Sequence, residues 1–355
     1  MTSDGSRPRI GAVVRIGTRG SALATTQTGH VAAALQAEGA GDYEVRIIRT
    51  EGDVNTGSLA SLGGTGVFAA ALRHALMEGQ VDLAVHSLKD LPTAPHPGLA
   101  IGAVPVREDP RDALCARDGL TLAQLPHAAK IGTGSPRRAA QLLAVRPDLM
   151  VVEIRGNVPT RLARVAGYDS AGPGDLDAVV LASSGLRRLG CEHYVTEYLD
   201  PSVMLPAPGQ GALALEVRAH LLRADPGLAA QALGAYGEPP ELNTVVQRSG
   251  QAEMENNLLR ALGRVNHSES RCAVSAERAV LARLEAGCAA PVGALGQVQD
   301  GLLVLDCAVV SPDGSRVLRR TEASDEISVD AARELGRRVG DGLLTDGAAE
   351  LVGLR

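Results

Sequence analysis

Short apolar runs alternate with amphipathic stretches along the first two thirds of the chain, the pattern of strands followed by helices. Val13 to Gly17 predicts a strand, and Ser21 an N-cap for a helix carrying Leu23, Val31 and Leu35 that stops near Gly39 and Gly41. Glu44 to Thr50 predicts a strand with Val45 and Ile47 on one face. Gly66 to Glu78 predicts a helix closed by Gly79, and Val81 to His86 and Leu99 to Val106 two buried strands. The grammar then repeats. Ile16-Gly17-Thr18-Arg19-Gly20-Ser21 has a counterpart in Ile131-Gly132-Thr133-Gly134-Ser135-Pro136, where Ser135 takes the cap and Pro136 the first helical position. Asp82-Leu83-Ala84-Val85-His86-Ser87 has one in Asp177-Ala178-Val179-Val180-Leu181-Ala182-Ser183. Strand-Gly-Ser-helix turns are common in α/β proteins at large. Two counterparts in the same order predict two lobes of like construction, with both Gly-Thr turns facing a cleft between them.

Beyond Leu213 to Val217, a further predicted strand, the pattern changes. Residues 223–262 hold Gly237-Glu238-Pro239-Pro240 and a polar run from Gln247 to Asn257, and read as an insertion or linker with partial helix. Ser275 to Ala286 then predicts an amphipathic helix stopped by Gly287. Leu302 to Val310 and Arg316 to Arg320 predict a hairpin around Ser311-Pro312-Asp313-Gly314, and Ser328 to Leu344 a closing helix, an order that suits a small α+β domain. The expected division is a flexible tail over 1–12, a first α/β lobe from 13–106 and 207–222, a second from 107–206, the insertion at 223–262, and an α+β domain over 263–355.

Composition narrows the partners. The 355 residues are 45% hydrophobic and 21% charged, enough for a folded protein of more than one domain. Acidic residues outnumber basic ones, 41 to 35, and the net charge of -6 excludes a broad electrostatic grip on nucleic acid or anionic lipid. Only 2% of residues are aromatic, with no Trp and Phe68 as the one Phe, which leaves little to stack on bases. No run of about 18 apolar residues could span a membrane, and Met1 to Arg15 lacks the apolar stretch of a secretory signal. A cytoplasmic protein with neither nucleic acid nor membrane as partner is expected. Cys115, Cys191, Cys272, Cys288 and Cys307 include no Cys-x-x-Cys pair, so neither a disulfide framework nor a metal site is indicated. Lys89 and Lys130 are the only lysines against 33 arginines, so an arginine by itself is weak evidence of function.

Three constellations could carry chemistry. Arg137 and Arg138 fall in the first turn of a predicted helix, Arg155 after a strand, Arg161 one turn into the next helix, and Arg187 and Arg188 after the second counterpart. Helix N-termini already attract anions, and guanidinium groups added there are unfavourable unless an anionic ligand arrives. The implied ligand carries several carboxylates or phosphates; solvated surface arginines are the alternative. In His86-Ser87-Leu88-Lys89-Asp90-Leu91-Pro92 an apolar strand runs into a rare lysine and a carboxylate and is stopped by proline. Lys89 and Asp90 then form either a strand-end ion pair or a site for an ammonium or a developing cation. Cys288, in Leu284-Glu285-Ala286-Gly287-Cys288-Ala289-Ala290-Pro291-Val292-Gly293, is open enough for a bulky group to be attached, or is an ordinary buried thiol.

Together with Arg107-Glu108-Asp109-Pro110-Arg111-Asp112, Gly132 to Arg138, Arg155-Gly156-Asn157-Val158 and Leu205-Pro206-Ala207-Pro208-Gly209-Gln210-Gly211, these runs resemble the porphobilinogen deaminase (hydroxymethylbilane synthase) family, collinearly from about Val14 to the C-terminus. The resemblance implies two similar periplasmic-binding-protein-like α/β lobes with mixed sheets, a small α+β C-terminal domain, and a cytoplasmic monomer. It implies head-to-tail condensation of four porphobilinogen molecules with loss of ammonia, then hydrolysis to release hydroxymethylbilane. The chain would grow on a dipyrromethane cofactor joined through a thioether to Cys288. By the same resemblance Lys89, Thr133, Ser135, Arg137 and Arg138 hold the cofactor, and Arg19, Ser21, Arg155, Arg161 and Arg188 handle incoming or elongating pyrroles. Asp90 matches the catalytic carboxylate that assists ammonia departure and stabilises cationic intermediates. Two departures stand out: Gly63-Gly64-Thr65-Gly66 replaces a Gly-Gly-Lys-Gly loop of many members, and the segments near 167–174 and 223–262 are longer than in compact ones. A non-enzymatic two-lobed organic-anion binding protein would share the lobes and the arginines but leaves Cys288 and the third domain unexplained.

Overall fold

The computed structural model of the chain describes residues 13–49, 66–232, 250–287 and 290–353. Its elements, in chain order, begin with β1 (Val14–Thr18), α1 (Ala22–Ala37), β2 (Tyr43–Ile47), α2 (Gly66–Met77), β3 (Leu83–Ser87) and β4 (Leu99–Ala103). After a crossover come β5 (Asp112–Ala116), β6 (Lys130–Gly132), α3 (Pro136–Val145), β7 (Met150–Val152), α4 (Val158–Leu162), β8 (Ala178–Ala182), α5 (Ser183–Arg188) and β9 (Glu197–Tyr198). The chain then returns through β10 (Leu213–Arg218), α6 (Ala219–Leu222), α7 (Pro226–Gln231) and α8 (Gln251–Val265). It ends in α9 (Ser268–Arg283), β11 (Val292–Gln299), β12 (Leu302–Val310), β13 (Val317–Ser324), α10 (Val329–Thr345) and α11 (Ala348–Val352).

The two five-stranded sheets have one plan. The first runs β2-β1-β3-β10-β4 and the second β7-β6-β8-β5-β9. In each, the first three strands are parallel, and the fourth lies antiparallel to both its neighbours. The antiparallel inner strand adjoins a crossover in each case: β5 opens the second lobe, and β10 follows the return from it. The sequence counterparts fall on equivalent elements, β1–α1 with β6–α3 and β3 with β8. Ser21 and Ser135 are both N-caps, accepting the Ala24 and Arg138 N–H groups. β3, β4, β5 and β8 are buried almost throughout, as strands covered on both faces must be, which is why they read as continuous apolar runs. The fold is α/β, two lobes with mixed sheets and a third domain in which β11, β12 and β13 form an antiparallel sheet packed on α9 and α10.

Several elements differ from expectation. β2 is shorter, and Val45 and Ile47 stay exposed because it is a sheet edge. β4 ends at Ala103 rather than 106, and α9 begins at Ser268, seven residues before the sequence signal, where the His267 ring accepts the Ser270 N–H. β11 escaped the pattern altogether. A Cβ on Gly293 would lie 2.7 Å from the Leu205 Cβ, so the strand that touches the second lobe needs glycine where a β-former would announce it. The tail 1–12 and the Gly63-Gly64-Thr65 loop lie outside the described residues.

The segment 223–262 requires a correction where it is described. Leu228 of α7 and Met254, Leu258, Leu259, Ala261 and Leu262 of α8 are buried in the first lobe's core, with Val31, Leu35 and Leu215. The Gln- and Asn-rich polar face of α8 concealed an apolar stripe of helical period. Leu258→Ala is expected to destabilise the protein by about 2–5 kcal/mol, read as a lowered denaturant midpoint. A midpoint equal to wild type would return the segment to linker status.

Candidate active site

The centre of the site is built around one carboxylate. Asp112 opens β5 with no exposed surface, and such a group persists only when paired. Arg137 and Arg138, both buried, supply the charge: Arg137 Nη2 lies 2.8 Å from Asp112 Oδ2, and Arg138 donates from Nε at 3.0 Å to Oδ1, with its Nη2 2.8 Å from the same oxygen. Burial works to raise the Asp112 pKa, but the two guanidinium groups outweigh it and hold the carboxyl at about 2. The arginines are placed by the turn into α3. Thr133, buried, accepts the Ser135 N–H at 3.2 Å, Ser135 caps the helix, and Arg138 also donates to the Val180 carbonyl at 3.0 Å. Two guanidinium groups facing one carboxylate leave an excess of positive charge at the end of β6 and β8.

Lys89 and Asp90 arrive from the other lobe. β3 runs into a single 3₁₀ turn, Leu88–Asp90, whose Leu88 N–H bonds the Ala212 carbonyl. Both side chains are half-buried. The Lys89 ammonium donates to Gln210 Oε1 at 3.2 Å, and the Gln210 amide nitrogen donates to Asp112 Oδ1 at 2.8 Å. One neutral side chain thus joins the lysine of the first lobe to the carboxylate of the second. Burial pushes the Lys89 pKa down to about 8, with Arg138 and Arg137 adding to the effect and Asp90 and Asp112 opposing it. Gly209 permits the close approach of the two segments: its φ is +77°, and a Cβ there would sit 3.2 Å from the Lys89 backbone nitrogen.

The remaining arginines spread around this centre. The Arg161 pKa is pushed down by burial and then by Arg138 and Arg155, so the charges acting on it most are cations. Arg161 donates to the Gly156 carbonyl at 2.8 Å, and Arg155 is exposed beside Glu153 at 2.8 Å. Arg188 binds Glu108 at 2.7 Å and the Gly211 carbonyl at 3.0 Å, at the crossover between the lobes. Arg19 is half-buried and Ser21 exposed in the β1–α1 turn, and Leu23 of α1 lies 4.0 Å from the Cβ position of Gly185 in α5. Lys89, Arg137 and Arg138 are therefore brought together. Arg161 borders them with Arg155 beside it, Arg188 lies at the crossover between the lobes, and Arg19 and Ser21 remain in the β1–α1 turn of the first lobe.

Asp112 and Gln210 were not singled out from sequence, although each left a signal. A lone carboxylate at the head of the apolar run Asp112 to Ala116 demands a buried cation, and the Pro208-Gly209-Gln210-Gly211 turn presents its one long polar side chain between two glycines. The crossover between the lobes is pinned from the third domain. Glu277 of α9, fully buried, accepts from Arg107 at 2.6 Å and from the N–H groups of Gly209 at 2.6 Å and Gly296 at 2.7 Å. Arg278 donates to the carbonyls of Leu91 and Pro92, directly after Asp90.

Cys288 lies outside the described residues. Gly287 and Ala290 on either side of the Cys288-Ala289 pair are joined by a hydrogen bond of 3.0 Å. Ala290 and Pro291 line a cavity of about 500 Å³ together with Pro136 and Ala139 of the arginine-bearing helix α3. The thiols of Cys115 and Cys307 are buried, and burial raises both, Cys115 to about 12, so neither is a nucleophile at neutral pH.

A family model described as "Porphobilinogen deaminase, dipyromethane cofactor binding domain" matches residues 14–224, and a second, "Porphobilinogen deaminase, C-terminal domain", matches 272–345. The chain belongs to the porphobilinogen deaminase family. Curated family members include a porphobilinogen deaminase of Micrococcus luteus, 52% identical over 96% of this chain and 94% of its own length, and one of Cutibacterium acnes, 52% identical over 96% and 97%. Among solved structures, an ABC-transporter periplasmic substrate-binding protein of Coxiella burnetii overlaps 71% of this chain and 97% of its own with a TM-score of 0.36 at 14% identity. The matched strand orders of the two lobes carry the fold assignment. The first family model ends at residue 224, in the turn after α6, and so spans both lobes including the returning strand β10.

Proposed function

We propose that this chain is a porphobilinogen deaminase that joins four porphobilinogen molecules head to tail, releasing ammonia at each step and hydroxymethylbilane at the end. The observation that carries this reading is the cationic centre formed by Arg137, Arg138 and Lys89 around a single shared carboxylate, directly beside Asp90. Each pyrrole brings an acetate and a propionate, and a polycarboxylate is the ligand such a donor set fits. The bordering pair Arg155 and Arg161 extends the fit, since Arg161 sits among cations that an arriving carboxylate would relieve.

A dipyrromethane group attached through Cys288 would supply the free pyrrole carbon that elongation needs. Arg137 and Arg138 hold its carboxylates with Lys89, while Thr133 and Ser135 shape the turn that aims them. The Cys288 assignment draws support from the cavity that its neighbours Ala290 and Pro291 share with α3. Arg19, Ser21, Arg155, Arg161 and Arg188 receive incoming pyrroles. The Asp90 carboxylate stabilises the positive charge that develops on the substrate as ammonia leaves, the largest service a fixed charge in a half-buried site performs. Among the described residues, no helix is long and apolar enough to cross a membrane.

Intact mass of the purified protein before and after porphobilinogen addition tests the reading. The expected spectrum has a mass above that of the polypeptide by a covalent dipyrromethane and, after substrate, a ladder of one to four further pyrroles. A polypeptide mass that substrate leaves unchanged would refute it.

A further inference from the structure

We propose that Gln210 is a positioning residue that fixes the Lys89 ammonium of the first lobe against the arginine–carboxylate cluster of the second. Gln210 is 1% exposed, and its amide has one workable orientation. The nitrogen faces two acceptors, Asp112 Oδ1 at 2.8 Å and the Pro110 carbonyl at 2.8 Å, so the oxygen must face Lys89, where it accepts at 3.2 Å. Turning the amide over would set its oxygen against two acceptors and its NH₂ against an ammonium. Asp112, itself locked by Arg137 and Arg138, therefore dictates which end of Gln210 the lysine meets.

The backbone of Gln210 is held as firmly. Its N–H donates to the Ala207 carbonyl at 2.8 Å, and its carbonyl accepts from Arg107 Nε at 2.8 Å, the arginine that Glu277 clamps. A neutral acceptor also suits the task. It orients the ammonium without cancelling the charge that a ligand carboxylate needs, which a glutamate at 210 would do. Among the described residues, the charged groups facing Lys89 are Asp90 from its own turn and Asp112, Arg137 and Arg138 from the second lobe.

This inference rests on the reading of Lys89 as a carboxylate anchor, and the test separates the two. Lys89 and Lys130 are the only lysines, so acylation of amines across a pH series, followed by peptide mass spectrometry, reports the Lys89 midpoint with exposed Lys130 as reference. In the full-length protein, Gln210→Met, similar in size but without the acceptor, is expected to lower the Lys89 midpoint by about one pH unit. Gln210→Glu is expected to raise it, and Lys130 should not move in either. A purely structural role for Gln210 would shift neither lysine or both alike. Should Gln210→Met fail to fold by circular dichroism, Gln210→Glu decides alone. An unmoved or lowered Lys89 midpoint in Gln210→Glu, or an unmoved midpoint in folded Gln210→Met, overturns the proposal. Midpoints that shift as expected while pyrrole uptake stays at the wild-type level would uphold Gln210 as the positioner and refute the anchoring role of Lys89.

Discussion

Cys288→Ala is expected to carry no covalent pyrrole, while Asp90→Asn is expected to carry its cofactor and stall at elongation. The two losses differ because the residues act at different stages. Removing the Cys288 sulfur takes away the attachment atom, and the buried, raised thiols of Cys115 and Cys307 offer no substitute. Asp90→Asn keeps the shape of the side chain and much of its hydrogen bonding but deletes the charge that offsets each developing cation. A fall of about 10²–10³-fold in turnover is expected from losing one such electrostatic contact. After porphobilinogen, intact mass spectrometry should show the ladder on wild type, bare polypeptide for Cys288→Ala, and cofactor with little or no ladder for Asp90→Asn. A normal ladder on Cys288→Ala would refute the attachment site, and undiminished turnover by Asp90→Asn the charge-stabilising role.

The second large effect concerns a residue that touches no ligand in this reading. Asp112→Ala strips the shared carboxylate from two buried guanidinium groups, and breaking a buried pair by removing one partner costs about 3–5 kcal/mol. The variant should unfold at a markedly lower denaturant midpoint, and its Arg137 and Arg138, now mutually repelled, should hold cofactor poorly by intact mass. The pH dependence has a definite sign. Asp112 is held at about 2 in the folded protein against roughly 3.9 when unfolded, so its contribution is fully present above about pH 4 and is lost as pH falls toward 2. The gap between wild type and Asp112→Ala should therefore close in that window. Wild-type stability together with full cofactor loading at pH 7 would remove Asp112 from the centre of the site.

What the sequence made legible was local. Ser21 and Ser135 cap their helices through bonds three residues long, so both β-turn-α units, and with them the likeness of the lobes, could be read from short strings. Arg137 and Arg138 could be read as anion-binding for the same reason. Their resident anion could not be: Asp112 precedes Arg138 by 26 residues and Gln210 by 98, and no periodicity connects them. Distance in sequence also hid the role of α8, whose Met254, Leu258 and Leu262 have meaning only against Val31 and Leu35 more than 200 residues earlier. The glycine at 293 was uninformative by itself because its reason is the Leu205 side chain of another lobe.

The placement of β10 bears on how the chain is made. It lies between β3 and β4, yet it is contributed by residues 213–218, after the whole second lobe. A nascent polypeptide that has emerged as far as residue 206 holds every strand of the second sheet, whereas β3 and β4 of the first still lack the strand that joins them. The later-synthesised lobe can thus close first, and the N-terminal one waits on the ribosome with two apolar strand edges unpaired. Finishing it takes contacts that span more than a hundred residues, the kind of long-range pairing that slows folding and exposes a chain to aggregation.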